Sequence, residues 1–445
     1  MLWFDPHGAP RALPLFGHAL ALRSAPLRLL TELERAHGDV APIRLGPMRG
    51  FVVSAPELVG EVLVSKRQLY TRKTRVYEAL SLFLGPSILT TEGEDWRVHR
   101  RIVQPAFHKE RLSSFAADIV RITEAALDGW SGEVEMSEAM TRLTLRIVSE
   151  TLLGTRTDRI AAEVGATVES AQRWVETVLS SMVVSPPWLP TPRNLARVRV
   201  QARLDRIAEE LIAERSDARG SDAVSMLLDA RYEDGTALSP KRIRNELVTL
   251  LAAGHETTAS ALAWTLLELG QHPAVARRLE AEVDEVLGGR PPTFDDLRAL
   301  PYTRWVLDES MRLHPPAWTT GRIVLEPHTL GDQALRPGQM LLISPYVTQR
   351  REDLWERPLA FEPARWEALS ARGALRPFTF FPFGGGTRKC VGEAFAYLEA
   401  TLVLAMIAQR FSLELVEGQR VEPLPRITLG LSPGLRMRAR PRSRA

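Results

Sequence analysis

Phe383-Gly384-Gly385-Gly386-Thr387-Arg388-Lys389-Cys390-Val391-Gly392 holds the one cysteine of a 445-residue chain, and a helical pattern runs on from Glu393 to Gln409. These residues suit a thiolate. Three glycines let the backbone come close to a flat ligand with N–H groups turned toward sulfur, and a helix start brings its positive dipole end beside Cys390. Arg388 and Lys389 add positive charge. A lone cysteine forms no internal disulfide, so this thiol is left for packing or for chemistry. A phosphate loop would need a strand before it and Gly-Lys-Ser/Thr at its end, and a cysteine protease site would need its own signature; neither set of defining residues is present.

Upstream of this loop, apolar residues recur at three-to-four spacing near 56–66, 93–106, 113–130, 136–153, 158–183, 195–214, 239–270, 273–287 and 301–313, which predicts helices. Val40 to Leu45 and Gly50 to Ser54, joined through Gly46 and Pro47, predict an early β-hairpin. Short alternating runs between Arg322 and Tyr346, and again after Phe411, predict small sheets. There is no repeat and no low-complexity linker, so a single large domain over 1–445, mainly α with small β-sheets, is expected, with 436–445 a frayed tail.

Composition narrows the function. Fifty-seven basic against 54 acidic residues leave a net charge of +3, far from the excess of a nucleic-acid binder. The N-terminus has neither a basic region before an apolar run nor the length of a membrane span, so a cytoplasmic protein with no transmembrane anchor is expected. Leu247 to Leu269 is long enough to span a bilayer but carries His255, Glu256, Thr257 and Thr258 at its middle, which fits a buried helix with a polar site.

The cysteine stretch resembles the haem-binding loop of the cytochromes P-450, F-x-x-G-x-R-x-C-x-G, at every specified position. Three more motifs of that family occur before it, in the right order. Ala253-Gly254-His255-Glu256-Thr257-Thr258 is similar to A-G-x-[DE]-T-[TS], Glu309 and Arg312 to E-x-x-R, and Pro363-Ala364-Arg365-Trp366 to P-x-R followed by an aromatic residue. The resemblance implies the cytochrome P-450 fold, haem b (iron protoporphyrin IX) ligated by Cys390, and dioxygen as cosubstrate.

It also implies roles. Glu309, Arg312 and Arg365 form a buried charge triad that fixes the cysteine loop. Trp96 and Arg100 match W-x-x-x-R; with Arg322 and Arg388 they serve the haem propionates, and Ala253, Phe383, Gly384 and Gly392 contact the haem. Cleaving dioxygen heterolytically consumes two protons, so Glu256 as acid and Thr257 as hydroxyl are the catalytic pair. A mid-helix threonine that bonds back to the preceding turn also opens a notch there. His99 and His255 are not expected as iron ligands, because a haem that binds oxygen keeps one face open.

The family's distal pocket maps onto Phe83, Ser87, Ile88, Leu250 and Ala253, with Ala317 and Trp318 farther on. Trp174, Val178 and Met182 share a helical face that runs into Ser185-Pro186-Pro187-Trp188, an expected lid. The implied reaction is hydroxylation or epoxidation of a small apolar substrate such as a fatty acid, terpenoid or polyketide. Electrons would come from a separate ferredoxin or flavodoxin with its reductase, docking on Arg97, Arg101 and Lys389, with NAD(P)H an indirect donor to a monomer. The alternatives are a peroxide-driven peroxygenase and a non-catalytic haem gas sensor; an acid–alcohol pair argues against both.

Overall fold

The computed structural model describes residues 10–154, 158–180, 186, 188–217, 220, 222–373 and 375–442. Contacts divide the chain into two compact units, neither contiguous in sequence. One comprises residues through Thr74, Asp308–Cys390 and Leu424–Gly430; the other comprises Arg75–Leu307, Val391–Pro423 and Leu431 onward. The expected single domain thus contains two centres of packing.

The first unit carries the main sheet. Val40–Leu45 and Met48–Val53 form the expected hairpin, with Val40 opposite Val53 and Gly46 in the left-handed conformation its tight turn requires. Met340–Ile343 adds parallel to Met48–Val53, and Thr320–Val324 and then Tyr70–Thr71 complete five strands. One face buries Val53, Val324, Leu341 and Ile343 against Val59, Val62 and Phe381. Phe381 lies two residues before the cysteine loop, so that loop grows out of the unit's core.

The second unit is built on the helix Pro240–Gln271. Ser239 Oγ caps it by accepting the Arg242 amide at 3.3 Å, and Pro240 fits the first turn, where no N–H partner is needed. Helices Met136–Thr151, Pro192–Asp217 and Glu393–Arg410 pack around it. Its apolar side chains therefore surround it, as the run from Leu247 to Leu269 requires.

The expected frayed tail is corrected in part. Arg436–Pro441 is the middle strand of a three-stranded sheet, between Gly132–Glu135 and Phe411–Leu415. Met437 and Ala439 point inward while Arg438 and Arg440 pair with Glu133 and Glu414, an alternation that the density of arginine conceals. Residues 443–445 lie outside the described residues.

Candidate active site

The cysteine loop is held by its own backbone. The Cys390 amide donates to the Phe383 carbonyl at 3.0 Å, Gly384 N to Phe381 O at 2.9 Å, and Lys389 N to Gly386 O at 3.2 Å. Gly384 and Gly386 are left-handed, with φ of +71° and +66°. A side chain at Gly386 would strike the Leu63 carbonyl and one at Gly385 would strike the Phe378 ring, so both glycines are dictated by close packing on one side. At Gly384 a Cβ meets nothing within 4 Å, and Cys390 is exposed. The loop is packed from beneath and open where the sulfur lies.

The charge triad anchors this loop from within the same unit. Glu309 and Arg312 are both fully buried, and Arg312 Nε and Nη2 each reach the Glu309 carboxylate at 2.9 Å. Arg365 Nε, the Glu362 amide and the Trp366 indole N–H also donate to that carboxylate, each at 2.9 Å. Arg312 spends its remaining donors on the carbonyls of Gln349, Pro358 and Ala360 at 2.7–3.0 Å. A buried ion pair is tolerated only when its surplus donors and acceptors are met in this way.

Sequence reasoning missed the link from triad to loop, which is Gln349. Its Nε2 donates to the carbonyls of Met311 and Arg312, and its Oε1 accepts the Phe381 amide at 2.8 Å. A glutamine in Thr348-Gln349-Arg350 carries no motif, and only its complete burial marks it out.

In the second unit the long helix is buried from Ile243 to Leu269 except at Ala252, Ala253, Gly254, Glu256 and Thr257. This accessible window coincides with the A-G-x-E-T-T motif. Thr257 Oγ1 donates to Ala253 O at 2.9 Å, the expected back-bond, and Thr258 Oγ1 to Gly254 O at 3.3 Å. Thr144 Oγ1, on the 136–151 helix, donates to the His255 carbonyl at 3.0 Å. The helix is not broken here, so the expected notch is a change of accessibility and side-chain bonding only. Glu256 accepts from Gln172 Nε2 on the helix Asp158–Ser180, a partner that no motif announced.

Burial sets the protonation of two neighbours. His255, on the buried side of the helix, has Nδ1 2.8 Å from Leu251 O, and burial lowers its pKa and so favours the neutral imidazole. Glu399, on the helix Glu393–Arg410, is fully buried; burial raises its pKa well above the carboxylate range, opposed only in part by the Thr258 hydroxyl beside it.

The other expected site residues divide between the units. Trp96 and Arg100 lie on the helix Gly93–Val103, where Arg100 Nε donates to Gln104 Oε1 at 3.2 Å. In the first unit Arg322 is buried and bonded to Thr320 Oγ1 and Gly321 O, and Arg388 sits partly exposed in the loop. Phe383 and Gly392 are also partly exposed. In the second unit Phe83 and Trp174 meet edge to face at 5.2 Å, with Val178 and Leu250 likewise buried there. Ser87 turns its hydroxyl to Thr90 at 3.2 Å, whereas Ile88 keeps partial exposure. Ala317 is exposed; Trp318 is buried and donates to Arg426 O at 2.8 Å. Met182, Ser185 and Pro187 lie outside the described residues, while Trp188 is exposed. Among the basic residues proposed for docking, Arg97 and Arg101 pair with Glu94 and Glu233, and Lys389 is exposed.

A family model for cytochrome P-450 matches residues 6–436. The chain belongs to the cytochrome P-450 family. It is 38% identical over 426 residues to a cyclooctat-9-en-7-ol 5-monooxygenase of Streptomyces melanosporofaciens, covering 92% of this chain and 90% of that protein. It is 33% identical to the pentalenene oxygenase of Streptomyces avermitilis, covering 97% and 96%. The solved structure of a cyanobacterial P-450 with retinoic acid bound superposes with a TM-score of 0.86 at 25% identity, covering 97% of this chain and 98% of that one. As a P-450, the protein is a haem-dependent monooxygenase that uses dioxygen. The cysteine loop fits that group: an exposed thiol on a loop closed on one face, with a glycine beside it whose Cβ position is open. No described helix is long and apolar enough to cross a membrane.

Proposed function

We propose that this P-450 oxidises a cyclic terpenoid, by hydroxylation or epoxidation, at a haem b that Cys390 would hold. The single observation that carries the reading is the accessible window on an otherwise buried helix, where Ala252, Ala253 and Gly254 offer an apolar wall and Glu256 and Thr257 the only polar side chains. An apolar substrate finds no hydrogen-bond partner to desolvate there except the acid–alcohol pair. The terpenoid class is supported by relatives named for cyclooctat-9-en-7-ol and pentalenene. When bound, the haem supplies the redox chemistry that splits dioxygen and inserts one oxygen atom into an unactivated C–H bond.

The chain's own residues then have distinct tasks. Cys390 would hold the group, and Trp96, Arg100, Arg322 and Arg388 would serve its propionates. Glu256 and Thr257 Oγ1 pass on the two protons that oxygen cleavage consumes, with Gln172 fixing the carboxylate. Electrons come from a separate ferredoxin or flavodoxin and its reductase, so NAD(P)H is an indirect donor to a cytoplasmic monomer. Spectral titration with cyclic terpene hydrocarbons and alcohols, followed by turnover with surrogate ferredoxins, tests the substrate class. A spin-state shift and oxygenated products with these compounds are expected; shifts with fatty acids alone would overturn it.

A further inference from the structure

Three consecutive residues of the long helix, Arg244-Asn245-Glu246, hold the backbone of the segment 83–88. Arg244 Nη1 donates to Phe83 O at 2.7 Å, Asn245 Nδ2 to Pro86 O at 3.1 Å, and Glu246 Oε1 accepts the Ile88 amide at 3.0 Å. All three side chains are buried, and a Cβ at Gly85 would collide with the Asn245 amide. The turn between them closes on itself through Thr90 and Thr91, whose amides donate to Ser87 O at 3.1 and 3.0 Å. The turn is thus fastened to the helix at three backbone groups, those of Phe83, Pro86 and Ile88.

Glu246 is itself fixed from outside. His99, buried on the helix Gly93–Val103, bonds Glu246 through Nδ1, and its Nε2 side faces Arg242 and Asp95, which pair with each other. The interior carboxylate is therefore tied through one imidazole to a surface ion pair, which keeps a buried charge compensated while holding its oxygens in one orientation.

We propose that Glu246 is a positioning residue that sets substrate selectivity by fixing the Ile88 backbone, with His99 fixing Glu246. This rests on the reading above that Ile88 lines the substrate pocket. Glu246 lies ten residues before Glu256 on the same helix, nearly three turns away, so its action is on the wall and not on the reacting atoms. Asn245 and Arg244 set where the turn sits; Glu246 sets which way the Ile88 side chain leaves it.

The test compares the holoenzyme with Glu246→Ala, Glu246→Gln and Asn245→Ala, using imidazole and 4-phenylimidazole as probes. Imidazole is too small to need the wall, whereas the phenyl ring must pass it. In Glu246→Ala, hydrogen exchange across segment 85–92 accelerates and the preference for 4-phenylimidazole over imidazole falls about tenfold, the equivalent of about 1.4 kcal/mol. Glu246→Gln, whose Oε1 can still accept from both the Ile88 amide and His99 Nδ1–H, keeps the preference within about twofold. Asn245→Ala shows a smaller change in the same direction and serves where Glu246→Ala fails to fold. An unchanged preference in both alanine variants, equal weakening of both probes, or a Gln variant as damaged as the Ala variant would each overturn the proposal. Absence of any imidazole shift in the parent would instead mark failure of the haem-thiolate reading.

Discussion

Gln349 Oε1 accepts the Phe381 amide at 2.8 Å, while its Nε2 reaches the Met311 and Arg312 carbonyls at 3.0 and 3.1 Å. One buried amide thus connects the E-x-x-R helix to the strand of chain that enters the cysteine loop. Gln349→Ala removes the partner of the Phe381 N–H and the donor to the Met311 and Arg312 carbonyls, at about 1–3 kcal/mol. The expected result is a lower unfolding midpoint together with reduced haem per protein, read by thermal denaturation and by pyridine haemochrome content.

Arg312 meets one carboxylate and three carbonyls with a planar fork that lysine cannot reproduce. Arg312→Lys and Arg312→Ala should both lose soluble holoprotein, the alanine variant by about 3–5 kcal/mol in denaturant unfolding, because Glu309 stays buried with its charge. Full stability in either variant would remove the triad from the account.

Thr257 carries the only side-chain hydroxyl in the accessible window. Thr257→Ala should keep haem and substrate binding but lower product formed per NAD(P)H consumed, on the order of tenfold, with the lost electrons recovered as hydrogen peroxide. Thr258→Ala, whose hydroxyl is buried, should leave coupling nearly unchanged.

Glu399 gives a pH signature. Its ordinary carboxyl value is 4.5 and burial raises it well above that in the folded chain, so between the two values the unfolded chain has lost the proton that the folded chain retains. Stability therefore falls as pH rises through that window, by up to about 1.4 kcal/mol per pH unit from this one group. Glu399→Gln removes this dependence, so its stability relative to the parent should be greater at pH 8 than at pH 5 in urea unfolding. A constant difference across that range would show that Glu399 is ionised in the fold.

The helices nearest the motifs were legible because their apolar residues repeat on one face: the helix expected at 239–270 spans Pro240–Gln271, and that at 136–153 spans Met136–Thr151. Pro26–His37, where Leu29, Leu30 and Leu33 are buried at helical spacing, was not among the expected helices. Arg75–Leu84, which runs straight into Gly85-Pro86, was not among them either. The motif residues Glu309, Arg312, Glu256 and Thr257 are recognisable in sequence because each combines a type with a spacing. Gln172, Gln349 and Glu246 are not, since each acts through a partner more than thirty residues away and nothing local distinguishes it from a surface residue.

The haem-thiolate assignment is tested most directly by the carbon monoxide difference spectrum of the dithionite-reduced protein, recorded for the parent and for Cys390→Ser at matched haem content. A Soret band at the long-wavelength thiolate position is expected in the parent, with its complete loss in the variant. A parent band at the position given by histidine ligation, or a thiolate band that survives in Cys390→Ser, would contradict it.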